Sequence, residues 1–409
     1  MIVRSYSGHD VDVGGDVWTF YRGRKKYVVD WTTVGELPQF LIHAARSHAI
    51  YLLRKGAESS VMAFFQGSIR PLLRCASAQR PAEALTERAF DELRMLIPHD
   101  KANLQRFRQF YRRSVRLPGF DLESSEVMDS IEVGQHRAPP ADQGRNPPLS
   151  PEQTDFLRRQ LALHRDLLPL DGRVAVGYSL ALGPNADPMS LARGEDLSEG
   201  ENGPTFGVPQ HKKKHRRPRA ELRHFPIDVP LAEDMRLLAK RNAERASDME
   251  WPDGTVGLPP CVAVPLFMRS RPAPSHAAAD CPEREFALHM TAQEVSALIR
   301  ATVLTLCVLA GADPIDMTAR NGKRTLLTDG QRHGLPAAAL AFAGGHQDDR
   351  HVNHYAAEGF AVLDHVERAL GDRLVDLVAS YSPVAPKLAG TPEEITAMFR
   401  KTAAEANDD

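Results

Sequence analysis

The sequence predicts a mainly α-helical fold with a small antiparallel β-sheet, divided into more than one domain. Apolar residues recur at helical spacing along most of the chain, whereas alternating apolar stretches are confined to residues 1–35 and 206–228. A length of 409 residues exceeds what one ordinary hydrophobic core accommodates. Residues 117–151 are rich in Pro, Gly, Ser and Asp, a composition that buries little apolar surface. We therefore expect two helical domains joined by a linker.

The predicted elements follow in chain order. Residues 1–35 read as an arm with one or two strands. The helical patterns cover residues 37–55, 59–75, 82–97, 101–116, 153–168, 173–182, 231–245 and 291–309. A β-hairpin with a charged tip is expected at 206–228, and Thr291 followed by Glu294 indicates a capping box. The expected domains are 36–118 and 152–385, with a linker at 119–151 and a C-terminal arm and helix at 386–409.

Composition limits the class of protein. The chain is 42% hydrophobic and 25% charged, with a formal net charge of −2, values typical of a soluble globular protein. The four cysteines form no CxxC pair, which argues against a zinc ribbon or a disulfide framework and favours a reducing cytoplasm. The N-terminus has no signal-peptide apolar segment, and no apolar run reaches membrane-spanning length, so no membrane partner is expected.

Positive charge is local, in two places. The helix at 101–116 interleaves basic residues with Phe107, Phe110 and Tyr111, so that one face is apolar and the other suits phosphates. Its candidate DNA contacts are Arg106, Arg112 and Arg113. The hairpin tip at 211–219 is densely basic and supplies Lys212, Lys213, Lys214, Arg216, Arg217 and Arg219. Either set is also compatible with an ordinary solvated surface.

The most informative segment is Gly345-His346 followed nine positions later by Tyr355. An apolar helical stretch at 335–342 precedes it. Upstream, residues 318–328 contain three cations at helical spacing, Arg320, Lys323 and Arg324. Attack on a phosphodiester accumulates negative charge on the equatorial oxygens, so such a site needs several fixed cations or N–H donors, and a phenol can act as its nucleophile. The phenol also needs cations nearby to favour its ionised form.

These boxes resemble those of the tyrosine recombinase (phage integrase) superfamily. The resemblance covers most of the chain in architecture but is specific only between residues 317 and 356. It implies that 36–118 is a DNA-clamping core-binding domain and 152–385 the catalytic domain. It further implies that Tyr355 attacks the phosphate and that His346 helps to hold it. No metal or other cofactor is implied, because the phosphotyrosine bond conserves the energy for rejoining.

The remaining positions match the family less well. The hairpin lysine that protonates the leaving oxygen would be Lys213 or Lys214. Lys323 stands where the second catalytic arginine is usual, Arg324 could serve after a one-residue slip, and Arg320 stands where the family often has His. A register through Arg300 is the second choice for that arginine.

The first catalytic arginine aligns with Asn185, which carries no charge. Arg193 is a candidate to compensate.

Two classes of function follow. The first is a DNA-cutting and rejoining integrase of a mobile element, acting on double-stranded DNA in the cytoplasm, at the nucleoid, and self-associating on it. The second is a catalytically impaired relative that binds DNA as a partner or regulator of active recombinases. A metal site built from His346, His351 and His354 with the neighbouring aspartates is disfavoured, because their spacing is not that of a zinc helix.

Overall fold

The computed structural model describes residues 1–131, 146–201, 203–210 and 217–344. The chain divides into two compact units. Unit 1 comprises Met1–Ala138, His211–Ala220 and Pro274–Ala287, and unit 2 comprises Pro139–Gln210, Glu221–Ala273 and Leu288–Asp409. Each unit has its own hydrophobic core within the described residues.

Unit 1 begins with two antiparallel hairpins. In the first, β1 (Ile2–Arg4) pairs with β2 (Asp10–Asp12), and in the second, β3 (Val17–Arg22) pairs with β4 (Lys25–Asp30). Alternate residues of β3 face the core, so Trp18 and Phe20 are fully buried while Thr19 is exposed. The arm predicted from the sequence therefore contains more strands than the one or two expected.

Five helices complete the described part of unit 1. They are α1 (Gln39–Lys55), α2 (Glu58–Phe64), α3 (Glu87–Leu96), α4 (Lys101–Ser114) and α5 (Leu122–Ser130). The predicted long helix at 59–75 is shorter, because the chain changes after Phe64 to a π-helical turn and then to 3-10 turns through Pro71. Pro71 lacks the backbone N–H that a continued α-helix requires.

Helix α5 lies in the segment that the sequence analysis expected to be a linker. Its N-cap Asp121 accepts a hydrogen bond from Ser124 N at 2.6 Å, and Met128 is buried in the unit 1 core. The Ser124 hydroxyl also bonds the Glu87 carboxylate of α3 at 2.7 Å. A polar composition hid this helix, because a single buried apolar side chain and a good cap are sufficient here.

Unit 2 surrounds its core with helices and one three-stranded sheet. The helices are α6 (Pro151–Leu163), α7 (Leu170–Leu182), α8 (Ala186–Leu191), α9 (Val229–Ser247), α10 (Ala292–Leu309), α11 (Ala319–Arg332) and α12 (Ala337–Ala343). The sheet has the order β5 (Leu197–Gly200), β6 (Gly203–Pro209), β7 (Leu222–Pro226), all antiparallel. Strands β6 and β7 are the hairpin predicted at 206–228, which is confirmed. The mainly α fold with a small antiparallel sheet is confirmed as well.

Helices α7 and α10 form the centre of unit 2. A Cβ added to Gly172 would lie 2.2 Å from Thr302 Oγ1, so the two helices approach at a position that admits only glycine. The predicted capping box of α10 is present, with Glu294 N donating to Thr291 Oγ1 at 3.1 Å. By length and composition α10 could cross a membrane, contrary to expectation. However, Val295, Ile299, Val303 and Leu306 are core residues, as is typical of a core helix.

An ion-pair cluster joins α9 to α7. Arg173 donates to both carboxylate oxygens of Asp234 at 2.7 Å, and Arg165 donates to one of them at 2.7 Å. Asp234 is buried, so its charge depends on these two partners. The cluster therefore fixes how α9 packs against the start of α7.

Candidate functional site

Helix α11 carries the three cations that the sequence placed in one box. Asn321, Gly322 and Thr325 face the core, and Gly322 approaches so closely that an added Cβ would lie 2.3 Å from Ser179 Oγ of α7. Arg320 is exposed, whereas Lys323 and Arg324 are half-buried. Positions i, i+3 and i+4 share one flank of a helix. The structure thus brings the three cations to one side of α11.

Lys323 contacts the end of the helix that precedes the Gly-His segment. Its ammonium donates a hydrogen bond to the carbonyl of Gly344, the C-cap of α12. The last carbonyls of a helix lack partners within the helix and carry partial negative charge, which a cation stabilises. Lys323 therefore holds the end of α12, after which the chain continues to Gly345 and His346.

Arg223 makes a parallel contact that the sequence analysis did not identify. Its guanidinium donates to the carbonyl of Phe342 at 3.0 Å and lies 4.8 Å from the centroid of the Phe342 ring. Phe225, two residues further along β7, packs on the same ring with a centroid distance of 5.5 Å. Residues i and i+2 of a strand share a face, so both side chains reach α12 from β7. The placement of Arg223 and Phe225 two residues apart on one strand was the sequence feature that could have indicated a shared contact.

Arg324 holds the segment that leads into α6. Its guanidinium donates to the carbonyl of Asn146 at 2.7 Å, and Asn321 Nδ2 donates to the carbonyl of Pro147 at 2.9 Å. The hydroxyl of Thr325 accepts a hydrogen bond from Leu149 N at 2.8 Å. One turn of α11 therefore anchors the chain immediately before α6 while it presents its cations.

The turn that leads to Asn185, the position predicted to align with the first arginine, packs against α11. Gly183 ends α7 in the left-handed conformation, with φ of 54°, and an added Cβ there would lie 3.1 Å from Lys323 Cα. Asn185 follows two residues later as the N-cap of α8, is exposed, and makes no side-chain capping bond. The structure thus brings the turn that precedes Asn185 against the backbone of Lys323.

Two alternative arginines are engaged by carboxylates. Arg300 donates to both carboxylate oxygens of Asp316, at 2.6 and 3.3 Å. This bidentate pair engages one edge of its guanidinium group. Arg193 pairs with Glu195 at 3.3 Å and is mostly buried. Both therefore have structural partners.

The candidate DNA contacts on α4 have intramolecular partners in unit 1. Arg112 donates to Asp129 of α5 at 2.7 and 3.2 Å, Arg113 lies 3.4 Å from the centroid of the Tyr51 ring, and Arg106 donates to Asn103. The apolar face predicted for this helix is confirmed, since Phe107, Phe110 and Tyr111 are among its buried residues. The basic face is partly covered by α5.

Several predicted site residues lie outside the described residues. They are Tyr355, His346, Lys212, Lys213, Lys214 and Arg216, together with His351 and His354 of the disfavoured metal site. Among the residues that the structure does describe, no group of three His, Cys, Asp or Glu side chains could hold a metal ion. Of the basic hairpin tip, Arg217 is exposed and Arg219 is half-buried.

The chain was compared with known proteins. No family model and no curated protein matches it. The XerH site-specific recombinase, in a post-cleavage complex with palindromic difH substrate, matches 83% of this chain and 87% of its own, with a TM-score of 0.50 and 10% identity. The Tn1549 transposon integrase in complex with transposon right end DNA matches 80% of this chain and 99% of its own, with a TM-score of 0.48 and 15% identity.

A lambda integrase dimer bound to a COC′ core site matches 77% of this chain and 93% of its own, with a TM-score of 0.47 and 10% identity. At these identities the likeness concerns the fold, and it rests on the XerH structure, whose TM-score of 0.50 is the highest of these three. The mainly α architecture with small antiparallel sheets agrees with it. The chain has the fold of the tyrosine recombinases, as the resemblance in its sequence predicts.

Proposed function

We propose that this chain is a site-specific recombinase, the integrase of a mobile element, which cuts and rejoins double-stranded DNA through Tyr355. One observation carries the proposal. Lys323 and Arg223 donate hydrogen bonds to the carbonyls of Gly344 and Phe342 at the end of α12, two and four residues before His346. Two cations therefore lie at the end of α12, from which the chain continues to His346 and Tyr355. We propose that the phosphodiester binds beside these cations.

The proposed reaction needs no cofactor. Tyr355 attacks as the phenolate, its proton having passed to solvent under the influence of the neighbouring cations. Its oxygen bonds to the phosphorus and forms a phosphotyrosine diester, while the bond to the 5′ oxygen breaks. Lys213 or Lys214 gives its proton to that leaving oxygen, and His346 with Arg320 and Arg324 balances the charge on the equatorial oxygens. The reverse attack by a 5′ hydroxyl releases Tyr355 and seals the strand. Each step exchanges one phosphate ester for another.

Partners follow from this chemistry. Duplex DNA is the substrate, with Arg106, Arg112, Arg113, Arg217 and Arg219 proposed to contact its phosphates. Exchange of strands between two duplexes requires more than one active site, so we propose that the protein self-associates on DNA in the cytoplasm, at the nucleoid.

Covalent trapping tests the proposal. Duplexes with randomised sequence around a nick are incubated with the protein, so that cleavage near the nick releases a short fragment and the link cannot be reversed. We expect a DNA-linked band that resists denaturation. Tyr355→Phe should remove the band, whereas Tyr381→Phe, a second tyrosine outside the Gly-His segment, should retain it. A band of unchanged intensity from Tyr355→Phe would refute the assignment of the nucleophile.

A second candidate function is favoured by Asn185 and Lys323. Asn185 supplies no charge where the family has arginine, and the ammonium of Lys323 is engaged by the Gly344 carbonyl. The protein would then bind duplex DNA as a partner or regulator of active recombinases. Duplex affinity that falls steeply with salt, without any trapped adduct from wild-type protein, is the result that this candidate predicts.

A further inference from the structure

The turn between β3 and β4 meets the end of the basic hairpin tip within unit 1. A Cβ added to Gly23 would lie 2.9 Å from Pro218 Cγ and 3.8 Å from Phe286 Cε2, and Gly23 has φ of 55°. The carbonyl of Gly23 accepts a hydrogen bond from His276 Nε2 at 2.9 Å. Three parts of the chain that are distant in sequence therefore converge on this one glycine.

His276 holds the turn from the other side. The residue is buried, its Nδ1 pairs with the Ser275 hydroxyl at 2.8 Å, and Tyr21 packs edge-on against its ring at 5.5 Å. Because a carbonyl only accepts, Nε2 is the donor to Gly23. The position of the β3–β4 turn is thus set by buried contacts, and its basic residues are presented at a fixed place.

The turn and the hairpin tip are both basic. Arg24, Lys25 and Lys26 follow Gly23, with both lysines exposed, and Arg217 and Arg219 flank Pro218. Arg22 is buried and lies 3.8 Å from Glu58, so it belongs to the core.

Three carboxylates belong to the same segment of unit 1, residues 274–287: Asp280, Glu283 and Glu285. Glu283 is buried and pairs with His9 at 2.7 Å, so it is not part of the surface. Burial, and to a smaller extent the charge of Asp280, raises the pKa of Tyr21 and of Cys281. Five cations therefore stand against the two carboxylates that are not buried, Asp280 and Glu285, and the surface has an excess of positive charge.

Arg219 is held in an unfavourable backbone conformation. Ala220 N bonds the carbonyl of Arg217 at 3.3 Å, which closes a turn with Pro218 in its second position and Arg219 in its third. Arg219 has φ of 63°, alone among the described residues other than glycine in having positive φ. Glycine or asparagine is favoured at such a position, and strained residues concentrate at functional sites. A cation therefore occupies a place where a smaller residue would be more stable.

We propose that Arg24, Lys25, Lys26, Arg217 and Arg219 form one surface that binds the phosphate backbone of duplex DNA. The N-terminal hairpin is then part of the DNA interface rather than an appendage of the helical domain. The inference rests on the proposed function, since it assumes that duplex DNA is the partner. Closely spaced, fixed cations match the regular spacing of backbone phosphates, and such contacts carry no base specificity.

The charge test compares two double variants by duplex binding across a range of salt concentrations. Lys25→Ala with Lys26→Ala should reduce the salt slope by about 1 for each lysine and weaken binding by about tenfold at low salt. Arg54→Ala with Lys55→Ala is the matched control, because these adjacent exposed cations end α1 and carry the same total charge. The control should leave the slope unchanged.

The strain test separates binding from folding. Arg219→Gly removes a cation and relieves the positive φ, so duplex affinity should fall while the melting temperature stays equal or rises. Gly23→Ala should also weaken binding, because its Cβ displaces Pro218. Gly8→Ala, also at positive φ (91°) but with only the Arg4 guanidinium end 4.0 Å away, should not weaken binding.

The outcomes distinguish failure of the proposed function from failure of this surface. If wild-type protein binds no duplex, the proposed function and this surface both fail. If wild-type protein binds duplex but the Lys25/Lys26 variant and Arg219→Gly bind like wild type, the surface alone is refuted and the proposed function stands. A loss of affinity equal to that of the Arg54/Lys55 control would likewise refute the surface, because it would reflect net charge only.

Discussion

The ammonium of Lys323 donates a hydrogen bond to the carbonyl oxygen of Gly344, the residue at which α12 ends. This contact joins α11 to the start of the Gly-His segment. A lysine at this position therefore has a structural role in addition to any contact with a phosphate.

Replacing Lys323 tests that role. Lys323→Ala should lower the local stability of the last turn of α12 by about 1–2 kcal/mol, because a charge-assisted hydrogen bond is lost from a half-buried site. Hydrogen exchange of the amides at 340–344 measures it. Lys323→Arg keeps a donor, so the amides at 340–344 should exchange nearly as fast as in the wild type. Arg332→Ala, which removes an exposed cation of the same helix, is the control. Unchanged exchange in Lys323→Ala would show that the contact does not stabilise α12.

The Asp234 cluster should be the most sensitive ion pair of unit 2. Asp234→Asn leaves the guanidinium groups of Arg173 and Arg165 without their buried carboxylate, which costs about 3 kcal/mol. Chemical denaturation, monitored with a spectroscopic probe in unit 2, measures the loss of unfolding free energy. Glu233→Gln is the matched control, because that carboxylate is exposed and lies 3.8 Å from Arg165. A loss no greater than that of the control would mean that the cluster contributes little to packing.

His48 should make unit 1 sensitive to acid. Burial among Phe64, Phe110 and Tyr51, with a smaller contribution from Arg113, lowers the pKa of His48 from 6.5 to about 4. The unfolded chain therefore binds a proton more readily than the folded one. The contribution of His48 to the free energy of unfolding is complete above pH 6.5. It falls as the pH drops towards 4, by up to about 3 kcal/mol.

Unfolding free energies between pH 4 and pH 7 check this prediction. His48→Phe should remove most of the dependence, because phenylalanine keeps the aromatic contacts and has no proton to gain. His43→Gln, an exposed histidine of α1, should leave the dependence intact. The account of His48 fails if the wild-type and His48→Phe curves run parallel across this range.

Asn185 offers a gain-of-function test. Its side chain is exposed and does not cap α8, so arginine can be introduced without loss of a hydrogen bond. If the missing charge limits the reaction, Asn185→Arg should raise the rate of adduct formation on the order of 10³-fold, as a restored arginine does in other phosphoryl transfers. Asn185→Gln, which adds length without charge, should stay near wild type. Equal rates for all three would show that another group already supplies the charge.

Local patterns were sufficient to predict much of the fold. The Thr291–Glu294 capping box and the β6–β7 hairpin were both read from the sequence, because caps and alternation act within a few residues. The cations of α11 were also found, since helical spacing alone places Arg320, Lys323 and Arg324 on one flank.

Contacts between distant residues were not predictable in this way. The hydrogen bond from Arg223 to Phe342 joins residues 119 positions apart, and that between His276 and Gly23 spans 253 positions. Neither hydrogen bond produces a periodic pattern in the sequence. Helix α5 was missed for a different reason, because its burial rests chiefly on Met128 and its composition resembles a loop.

The central claim is that Tyr355 becomes covalently attached to DNA, and mapping the attachment tests it most directly. After trapping, nuclease digestion and trypsin, residues 351–368 form one peptide with Tyr355 as its single tyrosine. The account predicts that this peptide carries a nucleotide phosphate on Tyr355. Attachment to any other residue, or a wild-type protein that binds duplex DNA tightly and forms no adduct on any nicked substrate, would contradict it.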